Sequence, residues 1–293
     1  MNKIGFLLLF GITLSSCSSD DEVLVENNDG RKLRQLTIAE VPVTRATLTD
    51  NTSSLGAAWK AGDQATYFNV TSFGTYNMDS GTLTASASAS TSAFTGSVRC
   101  TTGENVALFY PQQDVPTAGT DRGMFTVNLA GQDGTLATIA ENFHYVYGVA
   151  EVTSVTESTA NATISNMQSL LAVCKFTFTD GTNAIPVKTL TINYYDNSMS
   201  YNMGYPLSAK LTPTADVSTL ALTYPAQGTW NKEVPLVTLG TETSDGVYVA
   251  LFPDSPTGYM LFTVTGSSGT YTGTAKAKLN AGKYYPVTLK LTK

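Results

Sequence analysis

The chain has 293 residues, a formal charge of −6, one histidine and three cysteines, with 14% charged and 10% aromatic residues. That balance excludes whole classes of function. Scattered Lys and Arg on an acidic chain give no footprint for nucleic acid, and one histidine with few cysteines cannot close a zinc site. Low charge with abundant Ser, Thr, Gly and Asn predicts a strand-rich, exported protein.

At the start, Lys3 precedes an apolar run from Ile4 to Leu14 that ends in Ser15 and Ser16. The run is shorter than the about 20 residues of a membrane span and reads as a removable signal over 1–16. Leu14-Ser15-Ser16-Cys17 has the form of a lipobox, in which a diacylglyceryl thioether forms on Cys17 and small side chains flank the cut. The plainer alternative is a secretory signal with a chance cysteine. Removing 1–16 takes Lys3 and no acid, so the charge becomes −7.

Residues 17–45 read as a tether and possible propeptide strand. Ser18-Ser19-Asp20-Asp21-Glu22 and the polar stretch to Gly30 have no apolar period and stay solvated. From Leu33 to Val43 the pattern changes: Leu36 and Ile38 alternate, then Val41 and Val43 resume one residue out of step. A strand with a slip or bulge fits this.

From Ala46 onward, short apolar or alternating runs are separated by Gly, Pro, Asn and Asp, which predicts a β-sandwich or barrel architecture. Strands are expected over 65–70, 94–100, 106–110, 124–129 and 145–152 in the first half. The second half adds 171–179, 187–194, 219–224, 234–239, 247–252, 260–265, 270–277 and 285–291. Single helical turns are expected at 136–142 and at 166–171. Val106-Ala107-Leu108-Phe109-Tyr110-Pro111 is echoed by Val249-Ala250-Leu251-Phe252-Pro253, each apolar on both faces as in a covered strand closed by proline. Two β-domains over 46–165 and 166–293 are expected, with the boundary near 161–166.

Catalytic chemistry is hard to find. His144 stands between Phe143 and Tyr145 without a G-x-S-x-G elbow and reads as a structural or surface histidine. Asp63, Glu141 and Asp254 offer carboxylates, but spacing identifies no pair. Cys100 is in phase with Phe94 and Val98, and Cys174 with Phe176 and Phe178, so both are buried thiols or else a disulfide. No metal or other cofactor is expected, and the chain is read as a non-enzyme. Tyr194, Tyr195, Tyr201 and Tyr205 crowd one region, either as a glycan-stacking surface or as ordinary sheet packing.

The basic residues are more telling. Arg31, Lys32, Arg34 and Arg45 precede Ala46, whereas the only arginines after it are Arg99 and Arg122. An arginine-specific protease would find its targets in this N-terminal segment; the alternative is a basic patch near lipid head groups. Toward the other end, Tyr285, Val287, Leu289 and Leu291 alternate with Pro286, Thr288 and Lys290. Such a strand completes its own sheet or fills a groove in another copy.

Leu14-Ser15-Ser16-Cys17, Thr44-Arg45-Ala46-Thr47, Trp59-Lys60-Ala61-Gly62-Asp63, the Val-Ala-Leu-Phe-Pro strand ends and Ala281-Gly282-Lys283-Tyr284-Tyr285 together resemble the fimbrillin family, lipoprotein precursors of type V pilus subunits, and its Mfa-like branch in particular. The resemblance implies two tandem transthyretin-like Greek-key β-sandwich domains and assembly by strand exchange with other pilus subunits. It implies cleavage by an arginine-specific protease at Arg45-Ala46 and loss of the strand holding Leu36, Ile38, Val41 and Val43. Tyr285, Val287, Leu289 and Leu291 become the candidate donor face. Asp20-Asp21-Glu22 after Cys17 is similar to the signal for the outer face of the outer membrane, which implies a surface lipoprotein and then a shaft, tip or accessory subunit, with a host protein or glycan as a further partner. A non-polymerising glycan-binding lipoprotein is the alternative.

Overall fold

Strand-forming sequence dominates the computed structural model, which describes residues 31–42, 47–71, 79–117, 119–253 and 258–293. The signal, Cys17, the tether, Val43, Arg45, Ala46 and Asp254 lie outside those residues. The first half supplies β1 (Lys32–Pro42), β2 (Thr47–Asp50), β3 (Leu55–Ala58), β4 (Gln64–Asn69), β5 (Ser80–Ala85), β6 (Thr91–Cys100), β7 (Asn105–Tyr110) and β8 (Phe125–Asn128). A helical turn follows, α1 (Leu136–Thr138) running into a π turn over Ile139–Phe143, as expected at 136–142. The Thr135 side chain caps it by accepting from the Thr138 N–H. Then come β9 (Val146–Val155) and β10 (Thr159–Ser169).

Seven of these strands close into a barrel in the order β1-β10-β9-β7-β4-β5-β6. Leu36, Ile38, Val98, Val106, Leu108 and Val146 fill it, all fully buried. Closure satisfies both edges of every long strand, so β1 sits between β10 and β6 rather than at a rim. β7 runs between β4 and β9, the doubly covered position expected for the first Val-Ala-Leu-Phe run.

One expectation needs correction here. The helical turn expected at 166–171 falls against β10, which remains a strand to Ser169. Its first residues, Thr159 to Thr163, are small or polar. Yet Ala160 and Ala162 are buried where β1 and β9 flank them, and only small side chains fit there.

The second half contains β11 (Ala172–Thr179), β12 (Val187–Tyr195), β13 (Asn202–Gly204), β14 (Ser208–Leu211), β15 (Leu222–Thr223), β16 (Val237–Thr243), β17 (Val247–Leu251), β18 (Tyr259–Gly266), β19 (Gly269–Ala275) and β20 (Tyr284–Lys290). One sheet runs β17-β11-β20, another β13-β12-β18-β19 with β16 beside β12. Their inner faces meet as a sandwich, with Phe176 and Phe178 of β11 against Phe262 of β18 at 5.2 and 6.4 Å between ring centroids. β8 leaves the barrel for the β15-β14-β8 sheet. Its Phe125 stacks on Phe109 at 4.2 Å, so aromatic packing runs from the barrel wall into the second half. Residues 31–293 accordingly form one compact unit.

Candidate functional site

The seat of β1 is the best-built feature of the molecule. Leu36, Ile38 and Val41 are fully buried, although the last is an odd number of residues from the others. A β-bulge reconciles them, since the ladder with β6 shifts between Ile38 and Val41 and Glu40 adopts φ 53°. The out-of-step alternation read from the sequence is this bulge. β1 runs parallel to β10 over 35–39 and antiparallel to β6 over 32–42. Opposite Leu36 stands Gly96, where a Cβ would lie 2.5 Å from the Thr82 carbonyl oxygen; only glycine lets β5 approach so closely.

Polar contacts lock both ends of the strand. Trp59, from the Trp-Lys-Ala-Gly-Asp run, donates its indole N–H to the Val41 carbonyl at 3.1 Å and packs edge-on against Phe94 and Tyr110. Asp63 ends that run by accepting from the Lys60 N–H at 2.7 Å, and desolvation raises its carboxyl pKa. At the other end, Arg34 is 7% exposed. Its guanidinium donates to the Thr156 carbonyl, in the turn between β9 and β10, at 2.7 Å and to the Cys100 carbonyl at the end of β6. Arg31 pairs with Asp79 at 2.7 Å and lies 3.8 Å from Glu104, and Lys32 pairs with Glu157 at 2.5 Å. Of the four N-terminal cations, Arg31 and Arg34 are therefore bound into the fold, and Arg45 lies outside the described residues.

β20 is built differently. Over 284–290 it pairs in parallel with β11 and forms the margin of its sheet, and just beyond it Thr292 exchanges backbone hydrogen bonds with Thr272 of β19. Val173 N–H donates to the Lys283 carbonyl and Leu291 N–H to the Thr179 carbonyl, so odd-numbered residues face β11 and residues 284, 286, 288 and 290 aim their backbone outward. Pro286 removes one of those outward donors. The opposite margin, β17, is sealed: the buried Gln132 amide accepts from Ala250 N–H at 2.7 Å and donates to the Ala250 carbonyl at 3.1 Å. Sequence reasoning missed Gln132, since nothing in its neighbourhood marks it as a surrogate strand. On the apolar face, Tyr285, Val287 and Leu289 are only half-buried, whereas Leu291 is buried. Lys293 lies over the Tyr271 ring at 5.3 Å.

The tyrosine cluster divides. Tyr194 and Tyr205 are buried and stack 5.1 Å apart, so they belong to the core and not to a surface, a correction to the glycan-stacking face. Tyr201 is 52% exposed beneath Lys232, and Tyr195 is half-buried opposite Tyr259. A cleft of about 550 Å³ lies nearby, walled by Tyr224, Trp230, Phe252, Pro206 and Pro253.

His144 is fully buried with Ser169 Oγ at 3.2 Å from its Nε2. Cys100 and Cys174 are both buried free thiols. Burial pushes the Cys174 thiol up to about 12 and raises that of Cys100. Among the described residues no group of three or more His, Cys, Asp or Glu could hold a metal ion.

No protein-family model matches the sequence, and no curated protein matches it. Solved structures do share its fold. A candidate cell adhesion protein from Bacteroides uniformis aligns with TM-score 0.53 and 15% identity over 89% of this chain and 92% of that one. A second, from Bacteroides ovatus, aligns with TM-score 0.53 and 16% identity over 89% and 95%. The tip fimbrial protein Mfa3 of Porphyromonas gingivalis aligns with TM-score 0.36 and 11% identity over 84% and 82%. At these identities the likeness is one of fold, and the two Bacteroides structures carry it.

Proposed function

We propose that this protein is a structural subunit, or a tip or accessory adhesin, of a cell-surface fimbria assembled by protease-triggered strand exchange. In this reading the precursor is held by lipid on Cys17 at the outer membrane, facing outward. An arginine-specific protease cuts at Arg45-Ala46, and the segment carrying β1 leaves. The apolar face of β20 from another subunit then enters the vacated groove. The two β units act as tandem transthyretin-like domains, divided as 46–165 and 166–293, and backbone pairing rather than catalysis is the activity.

The observation that carries this reading is the placement of β1. It is one strand, it precedes Arg45, and its loss opens two ladders and an apolar trough together. Arg31 and Arg34 are engaged in ion pairs and buried hydrogen bonds, which makes both poor targets for a protease and favours Arg45 within the segment. The test is to treat the precursor with an arginine-specific protease, determine the new N-terminus by mass spectrometry and examine the product by electron microscopy. A chain beginning at Ala46 and filaments are expected. An uncut Arg45 with no filaments under any processing ends the proposal.

The second reading, an anchored glycan-binding lipoprotein, is favoured by two observations: the aromatic cleft lined by Trp230 and Tyr224, and the exposed Tyr201 ring. Glycan-array binding lost in Tyr201→Ala or Tyr224→Ala, on cells whose chain still begins at lipidated Cys17, selects it.

A further inference from the structure

The groove has a chemical pattern beyond apolar alternation. Moving along β1, it takes a cation at Arg34, then leucine, isoleucine and valine at 36, 38 and 41, then Pro42. The last strand carries the same series in reverse. Read backward from Lys293, a cation is followed by Leu291, Leu289, Val287 and Pro286. In a strand, alternate side chains share a face whichever way the chain runs, so reversal preserves the inward set.

Register supports the match. The β6 partners of Ile38 and Val41 are Phe94 and Ser92, two residues apart, while β1 spends three residues on that interval and needs its bulge. Leu289 and Val287 are two apart and pair with the same positions without one. Pro286 then lies opposite Thr91, where Pro42 already makes no donor available. Leu291 faces Gly96, and Lys293 reaches Val98 and the carbonyls of Thr156 and Cys100 that Arg34 now satisfies. Forward insertion fits less well. With Lys283 in the Arg34 seat, Tyr285 replaces Leu36 opposite Gly96, an overpacked exchange.

Resting on the strand-exchange reading above, we propose that the last strand of a second copy occupies the groove in the direction opposite to β1. It runs antiparallel to β10 and parallel to β6, with Lys293 seated where Arg34 sits. The Arg34 site is the address: it accepts a cationic side chain two residues from the first buried leucine and selects both register and direction. Val287 and Leu289 are half-buried at their own sheet margin, whereas the groove buries the side chains at the matching positions completely, so these two side chains withdraw apolar surface from water on seating there.

The test uses the full chain with Cys100→Ala and Cys174→Ala, a site-specific protease sequence placed at 43–46, and a nitroxide on Ser97→Cys. After cleavage and removal of the released segment, two peptides are added, one covering 31–42 and one covering 284–293 with a nitroxide at Thr292→Cys. Binding of the second peptide with the two labels close together is expected, because Thr292 then lies opposite Ser97 as Gln35 does now. Lys293→Gln should weaken that peptide about tenfold or more, the loss of a charged hydrogen bond. If the 31–42 peptide binds but the last-strand peptide does not, the inference is overturned and strand exchange stands. Labels about 23 Å apart, roughly seven residues along a strand, or indifference to Lys293→Gln, overturn it equally. If neither peptide binds, the strand-exchange reading fails as well.

Discussion

The Trp59 indole N–H and the Val41 carbonyl oxygen, 3.1 Å apart, join the turn after β3 to the end of β1 just beyond its bulge. Trp59 is 1% exposed and adds a side-chain bond to β1 at Val41, where the ladder with β6 resumes opposite Ser92. The residue that anchors the strand is thus outside the segment that proteolysis would remove, and it would remain to receive a replacement.

Trp59→Phe should keep the ring contacts with Phe94 and Tyr110 and lose only the hydrogen bond. A loss of about 1 kcal/mol in urea unfolding is expected. Trp59→Ala should cost roughly 3–5 kcal/mol through the cavity. After cleavage at 45, the Phe variant should release β1 faster than the parent, measured by size exclusion of the clipped protein.

Gly96→Ala tests the close approach beneath β1. The added methyl meets the Thr82 carbonyl at 2.5 Å and Leu83 Cδ2 at 2.8 Å, and the backbone atom cannot yield as a side-chain tip would. Destabilisation of about 1–3 kcal/mol is expected. Unchanged stability would show that β5 moves freely relative to β6.

How much of this was legible from residues alone follows from side-chain size. The β1 bulge could be read because Leu36, Ile38 and Val41 are large and their phase is visible. β10 could not, because Ala160 and Ala162 alternate with Asn and Thr without contrast, and its larger buried residues, Ile164 and Met167, are an odd number of positions apart across an irregularity in the ladder with β9. β2 and β3 were missed for a similar reason: Leu48 and Leu55 each stand alone in a four-residue strand. Tyrosine misled in the other direction, since Tyr194 and Tyr195 are adjacent in sequence but face opposite sides of β12, one buried and one half-buried.

Acid should act through Asp50. Its carboxylate accepts from the Tyr248 hydroxyl at 2.6 Å and from Lys175 at 2.9 Å, tying the β2–β3 hairpin to the β17-β11-β20 sheet. Those bonds, the Tyr248 one foremost, hold the carboxyl well below the usual carboxylate range. A depressed folded pKa contributes stability that is complete above the unfolded value of about 3.9 and is lost as pH falls toward the folded one. Thermal midpoints should therefore decline below about pH 4, and Asp50→Asn should flatten that limb while lowering the plateau at neutral pH. A parallel pH profile in the variant rules the cluster out as its cause.

The two thiols should report on β1 separately. Cys100 pairs across the ladder with Lys32 and lies in the barrel core with Leu36 and Val98, so β1 covers it directly. Cys174 is in the other core, paired between β17 and β20, and its raised pKa follows from burial alone. In the intact protein neither should react with a thiol reagent at pH 8, because the thiolate is suppressed and access is closed. Once the chain is cut after Pro42 and β1 leaves, Cys100 should label on the timescale of release while Cys174 stays silent. Refilling the groove with a 31–42 peptide should restore protection. Simultaneous labelling of both cysteines would mean that removing β1 unfolds the whole unit, so that no stable acceptor groove survives the cut.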